Sequence, residues 1–221
     1  LIPSIEYLRG GPFAIVPDIA IASRGPVTSV MLYTKRPIED VRSIAIDTSS
    51  RTSVALVRVL CDKLFRIDAR FEPIGPNLET MLAAHDAALL IGDPALFQPP
   101  VTSVQSAVEV VDLGETWFRM TGLPFVYAFW AGRPGVLTAA HIEELQRTRD
   151  RGLANAEIVV REYLHDSPAR QAVGRRYLRD NIKYYLGDDE RAGLELFYRY
   201  AADIGVAPQG SLRFYEPESR P

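Results

Sequence analysis

Short apolar runs, separated by polar and turn-forming residues, dominate the chain up to about residue 135, and this pattern predicts β-strands. The continuous apolar segments Ser43–Ile46 and Ala87–Ile91 are typical of buried parallel strands. From Thr138 onward, amphipathic stretches predict long helices over about 138–151, 154–164, 167–186 and 188–204. We therefore predict an α/β protein with a helical C-terminal region.

The order of these elements predicts two lobes. Strands alternate with helical patterns from Ser43 to Leu113, which favours βαβ units and a parallel sheet. Two longer apolar segments, Val27–Thr34 and Leu123–Trp130, bracket this block and are predicted to cross between the lobes. We expect residues 35–122 to form one lobe, and residues 1–34 with 123–221 to form the other. This arrangement resembles the periplasmic-binding-protein-like type II fold, with mixed sheets and a ligand in the cleft.

The composition excludes several classes of protein. Charged residues make up 24% of the chain and the net charge of −3 is spread evenly, so no basic stripe for nucleic acid is present. No apolar stretch approaches the length that spans a bilayer. The single cysteine, Cys61, cannot form a disulfide within the chain, and the three histidines lie far apart in the sequence. No metal site is predicted.

The segment Asp47–Ser53 is the strongest candidate site, because it carries five hydroxyls and an arginine between a predicted buried strand and a predicted helix. The first N–H groups of a helix lack partners, and the helix dipole favours negative charge there. We predict a carboxylate or phosphate site here, with contacts from Thr48, Ser49, Ser50, Arg51 and Thr52. The alternative is helix capping by one serine, with the other side chains exposed.

Three other strand ends supply further candidates. Ser23-Arg24-Gly25 lies between two predicted strands, where Ser23 and Arg24 suit an oxygen or carboxylate of a ligand and Gly25 permits close approach. Ser4 either faces the cleft or caps a short helical turn. Gly92 and Asp93 follow the central strand, where a doubly wound sheet binds its ligand. The backbone there is expected to line the cleft, and Asp93 either contacts the ligand or caps a short helix.

Five segments, taken in order, resemble the chorismate dehydratases of the futalosine route to menaquinone. They are Ile2–Tyr7, Ile21–Val27, Asp47–Ser53, Ala88–Asp93 and Leu123–Trp130. The resemblance runs from residue 1 to about residue 135, and a helical tail of the expected kind follows. It implies a cytoplasmic lyase that converts chorismate to 3-[(1-carboxyvinyl)oxy]benzoate with loss of water, without metal or cofactor.

The resemblance also suggests roles for the candidate residues. Residues 49–52 are expected to hold one carboxylate of chorismate. Ser23, Arg24 and the backbone of Gly25 are expected to hold the second carboxylate or the departing hydroxyl, with Ser23 as the catalytic residue. No strong general base is visible in these motifs, so the proton is expected to pass to a substrate carboxylate or to a bound water.

The family usually begins with a β-α-β unit that carries a Ser-Tyr-Leu-Asn motif, and this chain starts after that unit. We therefore expect the numbered chain to be a fragment whose first lobe lacks its N-terminal unit, with a signal peptide left open. A sister enzyme acting on cyclic dehypoxanthinyl futalosine is expected to carry a His-Glu pair where this chain has Gly92-Asp93.

Two functions of other classes stay open. A non-catalytic solute-binding protein for a small carboxylate would share the fold and the anion site. A ligand-sensing domain of a regulator would need a DNA-binding helix-turn-helix, and none is predicted in this sequence. The oligomeric state is also open.

Overall fold

The computed structural model describes residues 1–99 and 108–216 of the chain. In that part of the chain, two sheets contain nine strands. The strands are β1 (Ile2–Pro3), β2 (Ala14–Ser23), β3 (Val30–Thr34), β4 (Ser43–Ile46), β5 (Arg70–Pro73), β6 (Ala87–Ile91), β7 (Glu109–Asp112), β8 (Phe125–Gly132) and β9 (Ile182–Lys183).

Helices cover both sheets and form most of the C-terminal region. The α-helices are α1 (Arg51–Leu60), α2 (Leu78–Ala84), α3 (Asp93–Leu96), α4 (Leu113–Thr121), α5 (Ala139–Ala154), α6 (Ala156–Tyr163), α7 (Pro168–Arg176) and α8 (Asp188–Asp203). Short 3₁₀ turns span Ser4–Tyr7 and Ile38–Asp40, and π turns span Cys61–Phe65 and Tyr177–Asn181. None of the described helices has the length and apolarity needed to cross a bilayer.

The two sheets differ in strand direction. The four-stranded sheet has the order β1-β8-β2-β9, and all of its pairs are antiparallel. The five-stranded sheet has the order β5-β4-β6-β3-β7, in which β4 runs parallel to β5 and β6, whereas β3 runs antiparallel to both of its neighbours. The parallel sheet predicted for residues 43–113 is thus a mixed sheet, because β3 lies antiparallel between β6 and β7. The mixed character expected of both sheets is absent from the four-stranded one.

The chain passes between the sheets at other positions than the sequence suggests. The segment Val27–Thr34 was expected to cross between lobes, but β3 pairs along its whole length inside the five-stranded sheet. The passage lies between Ser23 and Val30, and the return lies between Asp112 and Phe125. A lobe boundary at residue 34 would separate β3 from the five-stranded sheet, in which it lies between β6 and β7. The division into two lobes itself stays a prediction.

Two local patterns are misleading. The apolar runs 13–16 and 19–22, on either side of Pro17, predict two short strands but belong to one strand, β2, whose pairing with β8 shifts register near Asp18, a residue with a φ of +62°. The helix predicted over 167–186 ends in a π turn, after which Ile182 and Lys183 pair with the edge of β2. In both places, pairing with a neighbouring strand overrides the local pattern.

One hydrophobic core joins the two sheets. It includes Ile15 and Phe129 of the first sheet, Leu32 and Ile44 of the second, and Leu56 of α1, all fully buried. Burying one such side chain contributes about 1.5–3 kcal/mol. Helix α1 follows a strand of the second sheet yet packs against α8 and β8 of the other half. Its first turn is therefore held at the junction of the two halves.

Candidate active site

The opening of α1 is shaped by hydrogen bonds within the segment that precedes it. The carboxylate of Asp47 accepts a hydrogen bond from the Ser49 N–H at 2.8 Å, which turns the chain after β4. Ser50 is the N-cap of α1, and its hydroxyl oxygen accepts from the Ser53 N–H at 3.3 Å and from the Ser53 hydroxyl at 3.0 Å. Because Ser50 accepts twice, its own hydroxyl proton remains available for another acceptor.

A hollow of about 160 Å³ lies beside this helix opening, and we call it the cleft hollow. Both sheets contribute to it, since Ile21 and Tyr127 come from the first sheet, whereas Val30 and Gly92 lie at strand ends of the second. Its described polar side chains are all hydroxyls, from Ser29, Ser50, Ser53, Tyr127 and Tyr177. Elements distant in sequence therefore converge on one small space, as expected for a ligand site in this type of fold.

The hydroxyls opposite α1 are paired with one another. The Tyr177 hydroxyl lies 2.9 Å from the Ser29 Oγ, and the Tyr127 hydroxyl lies 3.2 Å from the Ser23 Oγ. Burial raises the pKa of both tyrosines, so both stay protonated at neutral pH. The hollow is therefore lined by neutral hydrogen-bond donors.

Three of these residues escaped the sequence analysis. Tyr127 lies in the segment Leu123–Trp130, to which the sequence assigns only a strand, and Tyr177 lies inside the helix predicted over 167–186. Ser29 was placed within a crossing strand. No local pattern marks any of them. Tyr177, for example, reaches the cleft because β9 pairs with β2, and the two strands are far apart in the sequence.

A profile of the menaquinone biosynthesis family matches residues 1–203. The chain belongs to this family. A chorismate dehydratase of Thermus thermophilus is 33% identical to it over 211 residues, an alignment that covers 89% of this chain and 77% of that protein.

Solved structures support the fold of this family member. The crystal structure of a protein from Archaeoglobus fulgidus superposes with a TM-score of 0.63 at 21% identity, over 93% of this chain and 78% of the other. The periplasmic aliphatic sulphonate binding protein SsuA of Escherichia coli gives a TM-score of 0.56 at 13% identity, over 93% and 73% of the two chains. The periplasmic-binding-protein-like fold is confirmed, and at these identities the likeness extends to the fold alone.

The predicted site residues of this menaquinone biosynthesis protein do not all reach the cleft hollow. Ser50 and Gly92 line it. Gly92 has a φ of +71°, which a residue with a Cβ rarely adopts, and its N–H donates to the Ser29 carbonyl at 2.7 Å. The Asp93 carboxylate accepts from the Tyr163 hydroxyl at 3.0 Å and makes no cap bond to α3, so the prediction that it caps this helix was wrong.

Ser23 lies behind the hollow. It is fully buried, and its hydroxyl holds that of Tyr127, which itself lines the hollow. Helix α4 packs directly against these two hydroxyls at Gly114. A Cβ at this position would lie 2.7 Å from the Ser23 Oγ and 2.8 Å from the Tyr127 hydroxyl, so no space remains between them. From this position Ser23 orients the Tyr127 hydroxyl. Ser23 does not itself line the hollow, although the sequence predicts a direct catalytic role for it.

The neighbours of Ser23 point elsewhere. The Arg24 guanidinium pairs with Asp189 at 2.7 Å on the surface, and neither Arg24 nor Gly25 lines the hollow. The next backbone N–H groups, of Val27 and Thr28, donate to the Asp112 carboxylate at distances of 2.7–3.1 Å. These donors are therefore engaged by the protein and do not face a ligand.

Ser4 and Thr52 form a buried joint between the halves. The Ser4 hydroxyl donates to the Val126 carbonyl at 2.8 Å, and the Thr52 hydroxyl oxygen accepts from the Ile5 N–H at 3.3 Å. Both side chains are fully buried. Their role in this structure is to attach the first turn of α1 to the first sheet.

Thr48 and Arg51 lie on the outer side of α1. They line a second hollow, away from the cleft, and the Arg51 guanidinium pairs with Glu6 at 2.9 Å. Ser49 is exposed and does not line the cleft hollow either. The hydroxyl-rich segment is thus divided between two sides of the helix. In residues 1–99 and 108–216, no group of three or more His, Cys, Asp and Glu side chains is arranged to hold a metal ion.

Proposed function

We propose that this chain is a carbon–oxygen lyase that dehydrates chorismate to 3-[(1-carboxyvinyl)oxy]benzoate in the cleft hollow. The observation that carries the proposal is the free hydroxyl proton of Ser50 at the opening of α1, inside a space shared by both sheets. The similarity to the chorismate dehydratase of Thermus thermophilus supports the choice of substrate and reaction.

A carboxylate of chorismate suits the helix opening. The N-terminus of α1 carries a partial positive charge, and Ser50 adds a directed donor. The hydroxyls of Tyr127 and Tyr177 face it across the hollow and can donate to the second carboxylate or to the departing hydroxyl. Hollows that bind small molecules usually measure about 300–1,000 Å³. Because this one holds about 160 Å³, we expect the two halves to separate locally when chorismate enters.

The reaction needs little acid–base chemistry from the protein. The ring carbon that bears the enolpyruvyl ether loses its proton, the neighbouring carbon loses hydroxide, and the ring becomes aromatic. The described lining holds neither a carboxylate nor an imidazole, and its tyrosines are protonated. The proton therefore passes to a carboxylate of the substrate or to water, and combines with the departing hydroxide as water. The protein contributes orientation and exclusion of bulk water.

The test is incubation of the purified full-length protein with chorismate, followed by mass detection of a product lighter by one water. A blank without protein corrects for spontaneous breakdown of chorismate. We expect turnover that depends on Ser50. Tight binding of chorismate without turnover would overturn the proposal in favour of a solute-binding protein.

A further inference from the structure

The second hollow, on the outer side of α1, measures about 660 Å³ and carries an excess of positive charge. We call it the basic hollow. Its lining includes Arg9, Thr48, Arg51, Arg58, Val54 and Val206. Arg51 and Arg58 lie on α1, whereas Arg9 follows the first 3₁₀ turn and Val206 follows α8. The basic hollow therefore lies where the two halves of the molecule meet, as the cleft hollow does, but against another face of α1.

One carboxylate serves two of the three guanidinium groups. Glu6 accepts from Arg9 at 2.8 Å through one oxygen and from Arg51 at 2.9 Å through the other. Arg58 makes no ion pair with any described residue, and its guanidinium lies 4.7 Å above the ring of Phe71. Three positive charges thus face one negative charge. Asp203 lies next to this lining, but it pairs with Lys63 at 3.3 Å.

The guanidinium groups are held in place before any ligand binds. Arg9 donates to the Val206 carbonyl at 2.6 Å in addition to its pair with Glu6, and the Phe71 ring supports Arg58. Arginine presents planar pairs of donors that match carboxylate and phosphate oxygens. Between these groups the surface is apolar, formed by Val54, Ala55 and Ile204. A cationic rim around an apolar floor matches a small organic molecule that bears two acidic groups.

We propose that the basic hollow is a second, non-catalytic site that binds a small organic dianion and bridges the two halves of the protein. Arg51 and Arg58 hold its acidic groups, Arg9 lies at the other wall, and the apolar floor contacts its body. The site is separate from the cleft hollow, so the proposal stands whether or not chorismate is the substrate.

Calorimetric titration of the full chain with pyrophosphate and with isophthalate tests this site, at an ionic strength held constant with sodium chloride because surface electrostatics are screened by salt. Arg58→Gln is expected to weaken binding by about tenfold or more, since a hydrogen bond to a charged group contributes about 1.5–3 kcal/mol. Glu6→Gln is expected to tighten binding severalfold, because it removes the carboxylate that competes for Arg9 and Arg51. Tighter binding of isophthalate than of pyrophosphate is expected, because only isophthalate has a body that contacts the apolar floor. Tighter binding of pyrophosphate would show that the floor contributes nothing and would overturn the assignment of an organic dianion.

Two control variants make the outcome decisive. Arg119→Gln removes an arginine that is 77% exposed and paired with Glu115, outside both hollows, and should leave the affinity unchanged. Tyr177→Phe alters the cleft hollow without touching α1 and should also leave it unchanged. The proposal is overturned by the absence of saturable binding at millimolar concentrations, by equal effects of Arg119→Gln and Arg58→Gln, by loss of binding in Tyr177→Phe, or by weaker binding in a Glu6→Gln protein that melts like the parent.

Discussion

The two sides of the α1 opening come from one stretch of seven polar residues, yet their surroundings differ in burial and in charge. On the cleft side, Ser50 and Ser53 present hydroxyls in a small hollow whose described lining carries no charged side chain. On the outer side, Arg51 is 68% exposed, pairs with Glu6 and belongs to a larger hollow with two more arginines.

Helix geometry explains the division. Positions three or four apart share a helix face, whereas adjacent positions point in different directions. Ser50 and Ser53 are three apart, and Arg51 and Arg58 lie seven apart along another face. A run of hydroxyls and arginine at a helix start therefore does not form one site, because the helix distributes it over two. Thr52, which lies between Arg51 and Ser53 in the sequence, belongs to neither hollow and is fully buried.

Loss of the Ser50 hydroxyl should have the largest effect on activity. Ser50→Ala removes the helix cap and the donor that faces the substrate, and we expect kcat/KM to fall about tenfold to hundredfold. Asn77→Ala is the matched control, because Asn77 caps α2 through a 2.9 Å bond to the Thr80 N–H away from the cleft. Each variant should lose about 1 kcal/mol of unfolding free energy. Equal activities of the two variants would show that Ser50 acts only as a cap.

Filling the space at Gly114 should disturb the cleft side from behind. In Gly114→Ala the added Cβ would meet the hydroxyls of Ser23 and Tyr127 at 2.7 and 2.8 Å, and the Gly25 carbonyl at 2.9 Å. We expect the unfolding free energy to fall by about 1–3 kcal/mol, with a loss of activity as Tyr127 moves. Gly152→Ala is the control, because Gly152 lies inside α5 and a Cβ there meets nothing within 4 Å. Denaturant unfolding of this variant should show a free energy of unfolding that is higher by about 0.5–1 kcal/mol. A Gly114→Ala protein as stable and active as the parent would contradict this packing.

Removing the Tyr177 hydroxyl should have a smaller effect. Tyr177→Phe loses one neutral hydrogen bond, to Ser29, so kcat/KM should fall about twofold to tenfold. Tyr163→Phe loses a comparable hydroxyl contact, to Asp93, at an exposed position outside the cleft hollow, and steady-state kinetics should show no change. If Tyr177→Phe and Tyr163→Phe have the same kcat/KM, the Tyr177 hydroxyl does not contact the substrate.

The pH profile tests the neutral character of the cleft side. Burial raises the pKa of Tyr127 and Tyr177 above the ordinary value of about 10, and a phenol is protonated below its pKa. Both donors are therefore present at every pH below about 10 and are lost only above it. We expect kcat/KM to stay constant between about pH 6 and 9 and to decline in stronger alkali. A step near pH 6.5, typical of histidine, would reveal a titrating group that the described lining lacks.

The sequence predicted the α/β class and the periplasmic-binding-protein-like fold from the order of its elements. It also predicted a helix from about Thr52, one residue after the observed start at Arg51, because apolar and capping residues mark that start locally. It did not predict that β3 lies inside a sheet, since a Val- and Tyr-rich strand has the same pattern in either place. Tyr177 could not be found, because its position depends on the pairing of Ile182 and Lys183 with β2. Long-range pairing of this kind leaves no periodic pattern in the sequence.

The smallest effect on activity should come from Arg51, one of the residues that the sequence predicts to contact the substrate. If its guanidinium reached a substrate carboxylate, Arg51→Ala would weaken binding by about 1.5–3 kcal/mol. The structure directs it outward, where an exposed ion pair contributes about 0–1 kcal/mol. We therefore expect Arg51→Ala to change KM for chorismate less than about threefold, measured beside Ser50→Ala. A rise as large as that of Ser50→Ala would mean that both sides of the α1 opening serve one site, and the comparison between them would fail.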